Sequence, residues 1–227
     1  MATDRDALMQ AALPHVPFDG WSDVAFEAAA KDCGLDLAEA RAVAPRGAVD
    51  LAVAYHRQGD SLMREVLAAA DLDTMRIRER VTFAVRKRLE LTGDKEIVRR
   101  GSALFALPQN AGEGAALIWG TADAVWDALG DGSDDVNWYS KRAILSGVYS
   151  ATVLFWLGDD SDGAEATWAF LDRRIGDVMA FEKFKAGVQG NPVLNRLFSG
   201  PASLLSRIKA PSKTARDDLP GHWPDKI

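Results

Sequence analysis

Apolar positions along this chain recur at intervals of three and four residues, the period of helices that bury one face. Ala, Leu, Glu and Arg dominate, and no alternating β-branched runs flank a hairpin-type turn, so an all-α protein is predicted. Leu8, Ala11, Ala12 and Val16 give the first helix its stripe, with Pro17, Asp19 and Gly20 expected to end it. Ser22 is expected to cap a second helix carrying Val24, Phe26, Ala28 and Ala29, closed at Cys33 and Gly34, before a short third from Asp36 to Ala44. A fourth helix from about Gly47 to Arg57 and a continuation from Ser61 to Ala70 link these to the rest. Further helices are predicted over Thr74 to Leu91, Lys95 to Ala106, Gly114 to Leu129 and Asp162 to Met179.

The most informative helix runs from the acidic pair Asp134 and Asp135 to Leu157. Trp138, Tyr139, Lys141 and Arg142 crowd its first turns, and Asp134, Asp135 and Asn137 are the possible caps. From Ile144 onward it is apolar on nearly every face, so its front reads as a contact surface and its rear as core.

After Phe181 the pattern changes. Gly187, Gly190, Asn191 and Pro192 read as a linker. Beyond it, Leu194, Leu197, Phe198, Leu204, Leu205 and Ile208 share one side of a helical period, with Arg196, Arg207 and Lys209 on the other. This divides the chain into an N-terminal module (1–58), a body (59–181), a linker (182–192), an amphipathic helix (193–210) and a disordered tail (211–227).

Charge sharpens that division. The 227 residues carry a net charge of −6, yet Glu182 to Arg216 holds seven cations and one acid. An acidic body thus carries a basic amphipathic segment, a combination that suits an anionic membrane surface. The run from Val148 to Leu157 is far short of the ~20 residues that span a bilayer. With Met1 leading into an acidic stretch and Cys33 as the lone cysteine, the expected location is cytoplasmic, peripheral on the inner face of the membrane.

Catalytic motifs do not emerge. His15, His56 and His222 are far apart in sequence, no His-Glu-x-x-His or Glu-x-x-His pair occurs, and one cysteine builds no thiolate cluster. The chain is expected not to be an enzyme and to need no cofactor.

The first three helices resemble the DNA-binding end of TetR-type regulators, which makes a DNA-binding regulator with a hydrophobic ligand the alternative reading. Charge opposes it: residues 1–60 hold five cations against ten acids, whereas DNA affinity rests on cations that neutralise phosphates. Nucleic acid is therefore not an expected partner.

A second resemblance covers about residues 7–180. The segments Ala11 to Trp21 (AALPHVPFDGW), Leu104 to Asn110 (LFALPQN), Asp135 to Leu145 (DVNWYSKRAIL) and Ala166 to Met179 (ATWAFLDRRIGDVM) are similar to the ninth Coq protein family, lipid-binding accessories of ubiquinone biosynthesis. The resemblance implies a TetR-regulator-like helical fold with a helix-turn-helix-like N-terminal module, a lipid-binding body and a C-terminal amphipathic helix. It also implies a homodimer, a bound phospholipid or isoprenoid quinone intermediate, membrane lipids as a binding surface, and demethoxyubiquinone hydroxylase as partner. Val125, Trp126, Trp138, Tyr139 and Arg142 are the expected partner contacts. Leu104, Leu117, Ile118, Val148, Phe155, Trp156, Trp168 and Phe170 are the expected lipid contacts. The amphipathic residues from Leu194 to Lys209 named above are the expected membrane contacts.

Overall fold

The computed structural model describes residues 4–189, with side chains described through residue 180. The described chain is helical throughout. Four short helices come first: α1 (Asp4–Ala12), α2 (Val16–Asp19), α3 (Asp23–Asp32) and α4 (Leu37–Val43). Pro17 sits in the first turn of α2 rather than ending α1, and Gly20, at φ 69°, provides the stop. The Ser22 hydroxyl accepts the Ala25 N–H as expected, and Asp36 and Glu39 close a capping box at the start of α4.

Helix α5 (Ala48–Ala69) is continuous where the sequence suggested two pieces. Gly59 does not break it. A Cβ there would lie 2.6 Å from the Arg88 guanidinium, so the glycine opens space for a buried cation from the next helix. That helix is α6 (Ile77–Glu90), followed by α7 (Lys95–Ala106), α8 (Ala111–Ala128), α9 (Val136–Leu157) and α10 (Glu165–Gln189). Asp135 is the cap of α9, its carboxylate accepting the Asn137 N–H at 2.9 Å. Helix α10 runs past residue 182, where a linker was expected to begin, because Glu182, Lys183 and Ala186 favour helix over coil.

Two cores result. The N-terminal one joins Leu8, Val16, Phe26, Ala29 and Ala40 to Leu51 and Ala52 of α5. The second joins Met63 and Leu67 of the same helix to Val85, Leu89, Val125, Leu145, Trp156 and Leu171. Helix α5 therefore passes from one core to the other, and α7 and α8 lie across the seam between them.

Candidate functional site

A cavity of about 420 Å³ occupies that seam, within the ~300–1,000 Å³ common for small-molecule sites. Trp21, Ala52, Ile97 and Phe105 contribute from the N-terminal side, and Leu89, Leu117, Ile118, Val153 and Leu154 from the body. Local packing makes this space. Gly114 lets α8 approach α7 so closely that a Cβ would sit 2.8 Å from that of Phe105. The Trp21 indole donates to the Ile97 carbonyl at 3.3 Å and meets the Tyr55 ring at 5.8 Å between centroids.

One end of the cavity is polar. Arg88, only 2% exposed, donates to Asp60 at 2.6 Å, to the Thr92 hydroxyl at 3.1 Å and to the His56 carbonyl at 2.9 Å. The Thr121 hydroxyl donates to the same Asp60 oxygen at 2.9 Å, which assigns the Nε2 proton of His56 to the 2.8 Å bond from that ring to Thr121. Burial pushes the His56 imidazole down to about 4, aided by the Arg88 cation and opposed by Asp60. Tyr149, fully enclosed beside the Arg88–Asp60 pair, is raised by burial above the usual phenol range. At neutral pH this end holds one ion pair, a neutral imidazole and neutral hydroxyls.

Sequence reasoning missed most of this lining. Of the eight expected lipid contacts only Leu117 and Ile118 face the cavity. Leu104 packs against the N-terminal core, while Val148 and Trp156 fill the body core, with Lys95 over the Trp156 ring. Phe155 and Phe170 stack on each other at 4.5 Å, and Trp168 lies under Arg86 with its indole donating to the Gly163 carbonyl. These six are corrected as cavity walls because each side chain is occupied elsewhere. A signal did exist for the polar end. Arg88 falls at helical spacing with Val81, Ala84 and Val85, and Asp60 with Val53, His56, Met63 and Leu67, charges set inside apolar stripes.

The front of α9 forms a second feature. Trp138 and Tyr139 meet edge to face at 4.8 Å, and both lie within 6.5 Å of Trp119 on α8, all three partly buried. Beneath them Arg142 is fully buried, 3.9 Å from the Trp138 ring, donating to Asp123 at 2.5 Å and Asp131 at 3.1 Å, with Asp127 at 3.6 Å. Arg142 and Val125, 0% and 1% exposed, are thus corrected as partner contacts: neither reaches the surface. Trp126 is half-buried, its indole donating to the Lys141 carbonyl at 3.2 Å. Burial pushes the Asp131 carboxyl up, but hydrogen bonds from Lys141, Ser133 and Arg142 outweigh it and leave about 2. Trp119, absent from the expected set, completes the aromatic patch. The expected membrane contacts Leu194, Arg196, Leu197, Phe198, Leu204, Leu205, Arg207, Ile208 and Lys209 lie outside the described residues.

The COQ9 family model matches residues 111–182, which span α8, α9 and much of α10, and so carry both the inner cavity wall and the aromatic patch. The chain is 34% identical over 180 residues to the ubiquinone biosynthesis protein COQ9, mitochondrial, of Rattus norvegicus, covering 76% of this chain and 57% of that protein. The chain belongs to the COQ9 family. The Homo sapiens member is 32% identical over 76% of this chain and 56% of its own length, and the Drosophila melanogaster member 29% over 82% and 58%. The chain spans less than two thirds of the length of these curated relatives. They are mitochondrial proteins, which overturns the cytoplasmic, inner-face location expected from the sequence. A lone cysteine reports redox environment rather than address.

Among solved structures, a TetR transcriptional regulator from Nitrosomonas europaea ATCC 19718 superposes with a TM-score of 0.63 at 21% identity, covering 76% of this chain and 95% of that one. The all-α, TetR-like fold of this COQ9 family member is thereby established, and the likeness is one of fold.

Proposed function

We propose that this chain is a non-catalytic lipid-binding accessory protein of ubiquinone biosynthesis. It holds a phospholipid or isoprenoid quinone intermediate in the seam cavity and delivers it to demethoxyubiquinone hydroxylase, which docks on the α8–α9 aromatic patch. The observation that carries this reading is the cavity itself, a largely apolar space between two cores in a chain related to ubiquinone biosynthesis proteins. Trp119, Trp138, Tyr139 and Trp126 supply the docking surface, since large rings held in place by neighbours dominate binding at interfaces. A homodimer and a membrane contact through residues 193–210 belong to the same reading.

DNA binding is disfavoured by the pairing of the N-terminal cations. Arg41 is held by Asp23, Arg46 by Asp50 and Glu113, and Arg5 by the Val43 carbonyl. The docking claim is tested by Trp138→Ala. The variant should stay folded by circular dichroism and bind the hydroxylase at least 10-fold more weakly in a calorimetric titration. Unchanged affinity would refute docking at this patch.

A further inference from the structure

The two ends of the cavity differ in a way that orients its occupant. Ala106, Ala111, Ala115 and Leu154 are lining residues that also face solvent, which sets the mouth between the α7–α8 turn and α9. The opposite end is closed by the buried Leu89, Leu117, Arg88 and Tyr149. An apolar mouth and a polar inner end are the reverse of what a lipid with its tail inside and its headgroup in water would need.

We propose that the inner end of the cavity is a receptor for an uncharged, oxygen-bearing ring, so that a quinone or phenol head enters first and its isoprenoid tail trails out through the mouth. The proposal rests on the lipid-carrying reading above and adds the class and orientation of the ligand. Three hydrogen-bonding groups carry it. Arg88 uses three of the five N–H groups of a guanidinium on Asp60, Thr92 and the His56 carbonyl, leaving two for a ligand oxygen. The Tyr149 phenol lines the cavity, and its hydroxyl makes no hydrogen bond within the described residues that would spend its proton. The Ser102 hydroxyl lines it from α7 and has no hydrogen-bond partner among the described residues.

Charge selects the head. Asp60 already balances Arg88 at 2.6 Å, and among the described residues no second Lys or Arg lines the cavity. A phosphate or diphosphate driven to this end would be a buried anion beside a carboxylate without a counter-ion, which is strongly unfavourable. A carbonyl or phenol oxygen instead gains hydrogen bonds and brings no charge. At about 420 Å³ the space suits a ring and the start of a tail, and a long polyisoprenoid must continue outside it.

Calorimetry on the full chain with three probes tests this: a short-chain isoprenyl quinone, the isoprenoid hydrocarbon of the same tail, and the corresponding isoprenyl diphosphate. The quinone should bind at least 10-fold tighter than either of the others. Tyr149→Phe and Ser102→Ala should each weaken quinone binding by roughly 3- to 10-fold, as loss of one hydrogen bond implies, and leave hydrocarbon binding unchanged. Equal binding of quinone and hydrocarbon, tighter binding of the diphosphate, or variants that weaken quinone and hydrocarbon alike would overturn the head-inward proposal while leaving a lipid cavity in place. Failure of all three probes to bind wild-type protein would instead remove the lipid-carrying reading, and this one with it.

Discussion

Two arginines are buried among the described residues, and they are buried in different settings. Arg88 and Arg142 are 2% and 0% exposed, and each is held by carboxylates. Around Arg88 there is one carboxylate, Asp60, itself 8% exposed at the side chain, and every other partner is neutral. Around Arg142 there are three, and two of them, Asp123 and Asp127, are 38% and 42% exposed. The first arrangement is a sealed, charge-balanced surface that borders a cavity. The second is an acid-rich pedestal with wet edges, topped by the Trp138 ring. A buried cation thus borders a cavity where its counter-charge is matched and dry, and lies beneath a partly buried ring where its counter-charges reach water.

Loss of the dry, charge-matched cation should cost the most. Arg88→Met leaves Asp60 buried without its cation, so thermal or urea unfolding should show a loss of about 3–5 kcal/mol. A smaller effect is expected from acid. His56 is held near 4 in the fold against 6.5 when unfolded. Its folded pKa is the lower one, so the unfolded chain takes up the proton first. The neutral histidine's contribution is therefore complete above pH 6.5 and declines as pH falls toward 4, by about 3 kcal/mol at most. His56→Gln should flatten that slope in urea titrations. The Arg142 region should be indifferent over the same window, because Asp131 at about 2 gives up its contribution only as pH falls below 3.8. Smallest is Arg142→Met, about 1–2 kcal/mol in the same unfolding assay. Asp123 and Asp127 can hydrate, and Asp131 keeps Lys141 at 2.7 Å.

The sequence carried the helices well, and the reason is local. Ser22, Asp36 and Asp135 cap where a side-chain oxygen precedes an apolar period, and α7 begins and ends where its pattern does. The failures were tertiary. The residues between Arg57 and Ser61, left outside both expected helical segments, are helical, and the Arg88 guanidinium against Gly59 accounts for the glycine there. Periodicity marked Val148, Trp156 and Leu117 alike as buried, yet it cannot tell a filled core from a hollow one, and only Leu117 borders the cavity. Arg142 read as exposed because its neighbours Trp138 and Tyr139 are amphipathic. The acids that bury it come from α8 and from Asp131 just beyond it. The polar end of the cavity was legible in principle, since Asp60 and Arg88 interrupt apolar stripes on two helices.

Every role proposed for the cavity requires that lipid occupy it. Ile118 lines it from α8 and is partly buried, so Ile118→Trp places an indole into the space the ligand would take. Native mass spectrometry of the purified full chain should show an isoprenoid or phospholipid adduct on the wild type. The adduct should be lost from an Ile118→Trp variant with an unchanged circular dichroism spectrum. A wild-type protein free of any lipid adduct, or an adduct that persists in the filled variant, would contradict that occupancy.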